Sequence, residues 1–367
     1  MGNLARAPIS ATERAGMLRA IELAGRGAGT VLPNPVVGCV LLAPDGRTVG
    51  EGWHEQAGGP HAEVVALADA GERAAGATAL VTLEPCNHAG RTGPCSEALI
   101  AAGIARVVVA VRDPWPTAAG GIERLRAGGL DVVDLSADPG PADPGSAELL
   151  AAAEDVNRVW LTTVRAGRPF VTWKSAITVD GRVAAADGTS RWISSAESRA
   201  EVHDLRRRVD TMMVGVGTVL ADDPQLTARD ADGRPAGRQP LRVVIDSYGR
   251  TPDTARVLDD LAETLVCTAA EYPRTDNRVD VAAVLTSLYE RGRRHVLLEG
   301  GPRLAASMLD AGLVDEVLLY LAPLALGAGR PALADGAVAT LADAHRLELR
   351  SLRRVGPDVV LRYAVRG

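Results

Sequence analysis

Along the first half of the chain, apolar residues switch between helical spacing and short continuous runs. A helix-period stretch covers Ala11 to Arg26, followed by an apolar run from Val36 to Leu42 and another from Val49 to Trp53. The pattern then predicts a helix over Ala62 to Ala75, a strand over Ala79 to Leu83, a helix over Ser96 to Ala102 and a strand over Ala105 to Val111. Strands interleaved with helices predict a layered α/β sheet. The cluster Asp138-Pro139-Gly140-Pro141-Ala142-Asp143-Pro144-Gly145 is the strongest breaker in the chain, and a helical stretch from Ser146 to Trp160 follows it.

The second half restarts with strand-like Phe170 to Ala176, a helix over Ala196 to Arg208 and strands over Thr211 to Val214, Leu241 to Ile245 and Thr264 to Cys267. Helix Val281 to Arg291, strand His295 to Leu298, helix Pro302 to Ala311 and strand Glu316 to Leu321 complete it. No internal repeat relates the halves, so two different α/β folds are expected. A length of 367 residues suits two domains. We place the first over 1–150, a linker helix region over 151–167 and the second over 168–367.

Composition narrows the function classes. Apolar residues make up 47% and charged residues 23%, which is globular and excludes disordered or fibrous readings. Apolar runs such as Val36 to Ala43, which carries no charge, are much too short to span a bilayer, and the opening residues MGNLARAP lack a signal-peptide core. A cytoplasmic location is expected, with no membrane partner. A net charge of -6 leaves no basic footprint for nucleic acid, so none is expected as a partner. Four cysteines, two of them in one short motif, point to metal or catalytic use rather than disulfides. Lys174 is the only lysine in the sequence.

The decisive residues are His61-Ala62-Glu63 and Pro85-Cys86, with Cys95 nine positions beyond Cys86. One imidazole and two thiolates favour zinc, and three protein ligands leave a fourth tetrahedral position for water. Zinc can bring the pKa of such a water down to about 7. Glu63 is placed to move its protons to a ring nitrogen and a departing amine, which is the zinc-deaminase pattern H-x-E followed by P-C. The second cysteine of that pattern normally stands three positions after the first, as C-x-x-C. Here the intervening loop is Asn87 to Pro94, with His88 as a rival third ligand. Cys39 and Cys267 read as buried core thiols.

The segment Pro85 to Cys95 resembles that of the bifunctional riboflavin-biosynthesis deaminase/reductases. Upstream, Pro33-Asn34-Pro35-Val36-Val37-Gly38-Cys39 looks like that family's first-strand motif, and Asp113-Pro114 with Gly120-Gly121 resembles its post-strand loop. Downstream, Asp180-Gly181-Arg182, Ser190-Arg191-Trp192-Ile193, Leu220-Ala221-Asp222-Asp223-Pro224 and Glu299-Gly300-Gly301-Pro302 resemble its reductase half. The likeness covers nearly the whole chain. It implies an α/β chain with an N-terminal cytidine-deaminase-like α/β/α domain and a C-terminal dihydrofolate-reductase-like α/β domain. By the same resemblance His61, Cys86 and Cys95 hold Zn2+ and Glu63 shuttles protons. Asn34 either faces the pyrimidine or is a turn residue fixed by its prolines, and Arg91 and Thr92 either touch substrate or solvate the loop. Trp115 stands where that family often has asparagine.

In the second half no GxGxxG fingerprint opens a βαβ unit, because Gly215-Val216-Gly217 runs on into Thr218-Val219-Leu220. The strand ending at Leu298, then Glu299-Gly300-Gly301-Pro302 and a helix, instead offers free backbone N–H groups to a phosphate. The resemblance implies NADPH as cofactor, bordered by Ala176, Trp192, Thr218, Asp222, Ser247 and Gly301. Ser190, Arg206, Arg229 and Glu299 would hold substrate. Arg206 could match phosphate oxygens with its fork, or belong to a solvated basic face ending Arg207-Arg208.

What the resemblance implies is deamination of a small phosphorylated pyrimidine, 2,5-diamino-6-(ribosylamino)pyrimidin-4-one 5'-phosphate, then NADPH-dependent reduction of its ribosyl group to ribityl. Homo-oligomers follow only by analogy. The alternatives are a deaminase with a non-catalytic C-terminal binding domain and a nucleic-acid deaminase; the acidic charge and the long Cys86 to Cys95 loop oppose the latter. A purely structural zinc protein would leave Glu63 without a task.

Overall fold

The computed structural model describes residues 9–88, 93–137, 144–230, 232–274 and 276–366. The breaker residues 138–143 and the loop residues Arg91 and Thr92 lie outside this set. The chain divides into two units at Ala166/Gly167.

The first unit begins with α1 (Ala11–Arg26), started by a reciprocal cap in which Glu13 N–H donates to Ser10 Oγ and Ser10 N–H donates to Glu13. Strands β1 (Gly38–Leu42) and β2 (Thr48–Trp53) form a hairpin, followed by α2 (Ala62–Ala70), β3 (Thr78–Leu83) and α3 (Cys95–Ala101). Then come β4 (Arg106–Val111), α4 (Gly121–Ala127), β5 (Asp131–Asp134), α5 (Pro144–Val156) and α6 (Arg158–Ala166). The sheet order is β2-β1-β3-β4-β5, with β1 antiparallel to both neighbours and β3, β4 and β5 parallel.

Every residue of β1 is buried because helices cover both faces of the sheet. α2 stops at Ala70, short of the expected Ala75, where Gly71 adopts a positive φ of 56° and a tight turn follows. The stretch expected as a linker supplies Ala153, Trp160 and Leu161 to this unit's core. Its single expected helix is interrupted at Asn157, whose buried amide oxygen accepts the Val36 N–H.

The second unit comprises β6 (Phe170–Thr178), β7 (Arg182–Ala184), α7 (Ala196–Arg208), β8 (Thr211–Gly215), α8 (Val216–Asp222), β9 (Leu241–Ile245) and β10 (Thr264–Cys267). It continues with α9 (Val281–Glu290), β11 (His295–Leu298), α10 (Pro302–Asp310), β12 (Glu316–Ala322), β13 (Arg330–Pro331), β14 (Leu347–Val355) and β15 (Asp358–Val365). Eight strands lie in the order β10-β9-β8-β11-β6-β12-β15-β14; pairing is parallel from β10 to β12 and antiparallel through β15 to β14. β7 and β13 make a separate ribbon. Parallel strands deliver their C-terminal ends, Glu299 after β11 and Asp246 after β9 among them, to one edge of the sheet, where ligands of open α/β folds bind. Among the described residues no helix is long and apolar enough to cross a membrane.

Candidate functional site

In the first unit three element ends converge. His61 is the residue before α2, Cys95 opens α3, and Cys86 follows β3 by three residues. The Nδ1 of His61 lies 3.3 Å from Cys95 Sγ and 3.5 Å from Cys86 Sγ, and the three donor atoms all fall within 4.8 Å of one another. The backbone N–H of Cys95 donates to Cys86 Sγ at 3.4 Å. One imidazole nitrogen and two sulfurs make a donor set that fits zinc with an open fourth position. His88 is not in this cluster.

Glu63, in the first turn of α2, is buried beside it. Burial pushes its carboxyl up to about 7, aided by the neighbouring Cys86 charge, and it is within reach of the Cys95 thiol. That places the group near neutrality, where an acid can also serve as a base. Cys39 and Cys267 are free thiols with no exposure, as expected of core residues.

His54, after β2, carries no signal in the sequence pattern. Its Nδ1 faces the Pro60 carbonyl at 2.9 Å and must donate there, which leaves Nε2 to accept from the Asn34 amide at 3.2 Å. Burial lowers its pKa and keeps it neutral. Asn34 is the turn residue considered for it, its backbone N–H donating to the Val31 carbonyl, and its side chain is held by a histidine packed edge-on to His61. Trp115 stacks on Trp160.

The second unit holds a cavity of about 530 Å³. Six of the residues expected at the reductase site line it: Ala176, Ser190, Trp192, Arg206, Asp222 and Glu299. Lys174, Arg191, Arg199 and His203 line it as well. The signal for Lys174 was its being the only lysine; Arg199 and His203 share the helical face of Arg206 at spacings of seven and three. Four cations against two carboxylates make this cavity positive within an acidic chain.

Arg206 grips both oxygens of Glu299, at 2.9 and 2.8 Å, and also donates to the Thr227 carbonyl. Its fork is thus engaged within the protein. Burial raises the Glu299 carboxyl, but the Arg206 and Lys174 charges outweigh it and hold it at about 2. Burial lowers the Lys174 pKa. Trp192 stands exposed at the cavity with the Arg199 guanidinium 4.4 Å from its ring. The remaining expected residues do not line the cavity. Thr218 and Gly301 are neighbours: a Cβ on Gly301 would lie 3.4 Å from Thr218 Oγ1. Ser247 Oγ accepts the Val279 N–H, and Arg229 is held by Gly233 and Gln225.

With both sites in view, known proteins give the class. Residues 10–111 match the cytidine and deoxycytidylate deaminase zinc-binding region and residues 169–361 match the RibD C-terminal domain. The molecule is a zinc-binding deaminase joined to a dihydrofolate-reductase-like reductase, the two domains that the resemblance of its motifs implied.

The chain is 47% identical to riboflavin biosynthesis protein RibD of Mycobacterium tuberculosis (strain ATCC 25618 / H37Rv), over 95% of its own length and 96% of that protein. It is 41% identical to RibD of Escherichia coli (strain K12), over 94% and 97%. The solved structure of Acinetobacter baumannii RibD, form 1, is 37% identical and superposes with a TM-score of 0.82 over 97% of this chain and 99% of that one. A Thermotoga maritima diaminohydroxyphosphoribosylaminopyrimidine deaminase/5-amino-6-(5-phosphoribosylamino)uracil reductase is 33% identical, with a TM-score of 0.83 over 97% and 99%. The chain belongs to the RibD family of riboflavin biosynthesis proteins and is a bifunctional deaminase and reductase.

Proposed function

We propose that the first unit hydrolytically deaminates 2,5-diamino-6-(ribosylamino)pyrimidin-4-one 5'-phosphate, and that the second reduces the ribosyl group of the product to ribityl with NADPH. The substrate class is that of the T. maritima relative, a diaminohydroxyphosphoribosylaminopyrimidine deaminase and phosphoribosylaminouracil reductase. The observation that carries the first half is the buried Glu63 carboxyl, raised to about 7, beside the His61, Cys86 and Cys95 donors.

In this reading His61 Nδ1, Cys86 Sγ and Cys95 Sγ hold the metal. Zinc supplies a Lewis acid that makes water nucleophilic at neutral pH. Glu63 takes one proton from the water as the water's oxygen bonds to the amine-bearing ring carbon, and passes that proton to the ring nitrogen. It then carries the new hydroxyl's proton to the amine; the C–N bond breaks as the carbonyl forms, and ammonia leaves. Asn34, aimed by His54, orients the ring.

In the second unit the nicotinamide supplies hydride to the ring-opened sugar. Trp192, Ala176 and Asp222, which line the cavity, would border that cofactor, as would Thr218, Ser247 and Gly301. Ser190 and the Arg206–Glu299 pair hold the sugar, Arg229 adds positive charge beside His203, and the positive cavity favours a phosphorylated ligand. Lys174, with its lowered pKa beside Glu299, is placed to give up a proton as the carbonyl is reduced.

The test is E63Q. It should keep one zinc per chain and lose roughly 10² to 10⁴-fold of ammonia release. Retained deamination in zinc-loaded E63Q would sink the shuttle assignment.

A further inference from the structure

The residue before Pro85-Cys86 does something none of the roles above uses. Glu84 extends the β3–β4 ladder through its backbone, donating to the Val111 carbonyl, and its side chain is buried at 4% exposure. Its Oε2 accepts the Asp113 N–H at 3.1 Å, and its Oε1 accepts the N–H groups of Gly120 and Ile122, each at 3.0 Å. Asp113 starts the loop after β4, while Gly120 and Ile122 flank its junction with α4. One carboxylate therefore closes the whole loop by both ends.

The closed loop packs on the segment that carries Cys86. Ala118 carbonyl accepts the Asn87 N–H at 3.2 Å. Gly121 sits so close that a Cβ there would lie 1.8 Å from the Pro85 carbonyl oxygen. On the other side Ser96 N–H donates to the Cys86 carbonyl and Ser96 Oγ donates to Asn87. Residues 85–87 are thus clamped between the Glu84-closed loop and the start of α3.

We propose that Glu84 is a positioning residue of the deaminase: by gathering the backbone N–H groups of Asp113, Gly120 and Ile122 it fixes the loop that fixes the Cys86 backbone. Its oxygens are taken up by these backbone N–H groups, and it stands outside the His61, Cys86 and Cys95 donor set. A glutamine cannot replace it, because its amide nitrogen would face one of three N–H donors. Misplacement of a reacting group by about 1 Å can cost on the order of 10²-fold in rate.

The inference rests on the first unit being a deaminase, so wild-type protein is assayed first; no ammonia from zinc-loaded wild type would fail that reading and not this one. Given an active wild type, E84Q should bind one zinc per chain and lose roughly 10 to 10²-fold in deaminase kcat, with KM changed less than about threefold and reductase turnover unchanged. Cobalt-substituted E84Q should show displaced thiolate–cobalt absorption bands, a change that general loosening of the fold would not produce. G121A, which keeps Glu84 but pushes the loop off Pro85, should reproduce the pattern and decides the matter should E84Q not fold. Wild-type kcat and cobalt spectrum in either folded variant would overturn the proposal, as would loss of zinc or of both activities together.

Discussion

Arg206 and Glu299 meet in a two-point pair lining the cavity of the second unit, with the Glu299 carboxyl held far below its usual range. Removing one partner of such a pair strands the other charge, which costs roughly 3 to 5 kcal/mol, whereas replacing both by apolar groups is often neutral. R206A should therefore lower the thermal stability of the second unit and abolish nicotinamide oxidation. The double variant R206M/E299L should recover the stability without the activity. A double variant that still oxidises NADPH would show that the pair serves packing alone.

The Glu63 carboxyl predicts a pH dependence of the zinc-free protein. Its folded pKa of about 7 stands above the ordinary 4.5, so folding favours the protonated form. This contribution to stability is complete below about 4.5, falls as pH rises towards 7 and is flat above it. E63Q removes it. Zinc-free E63Q should gain on zinc-free wild type between pH 4.5 and 7, to a gap on the order of 3 kcal/mol at pH 8. Denaturant melts across this range measure it, and a gap that is constant with pH would contradict the assignment.

Zinc removal should separate the two activities. Chelation, or C95S, takes away one side of the cluster that joins His61, Cys86 and Cys95, so ammonia release should disappear. The second unit has its own core and cavity, and reduction of the already deaminated substrate should continue. Loss of both on chelation would mean that the metal supports more than the deaminase.

His54 predicts a binding effect. Phenylalanine at this position keeps the ring but loses the acceptor for Asn34 and the donor to Pro60. H54F should raise the deaminase KM about tenfold or more with a smaller change in kcat, one hydrogen bond in a buried site being worth roughly 1 to 2 kcal/mol. Steady-state ammonia assays decide this, and an unchanged KM would remove Asn34 from the substrate site.

The metal cluster was legible in the sequence because its donors sit at element ends whose neighbours are local: His61 and Glu63 share one helical turn, and Cys95 starts the next helix. Glu84 and His54 were not, since their partners are backbone groups or side chains about 6 to 38 residues away that only the fold brings near. In the reductase half, periodicity found the buried parallel strands. It missed β14, whose Leu347, Leu349 and Leu352 stand exposed at the sheet edge among charged residues, and its neighbour β15, where only Asp358 and Val360 are fully buried, so neither strand shows an alternating core-facing stripe. It also missed the Arg206–Glu299 pairing, because residues 93 apart in sequence carry no local sign of contact.

The most direct measurement follows ammonia release and NADPH oxidation separately on one purified protein, supplied with the diaminopyrimidine ribosyl phosphate. The account predicts both signals, with oxidation appearing only after deamination and persisting in E63Q when the deaminated compound is supplied instead. Ammonia without oxidation would reduce the second unit to a binding domain. Absence of both signals in zinc-loaded protein would contradict the central claim.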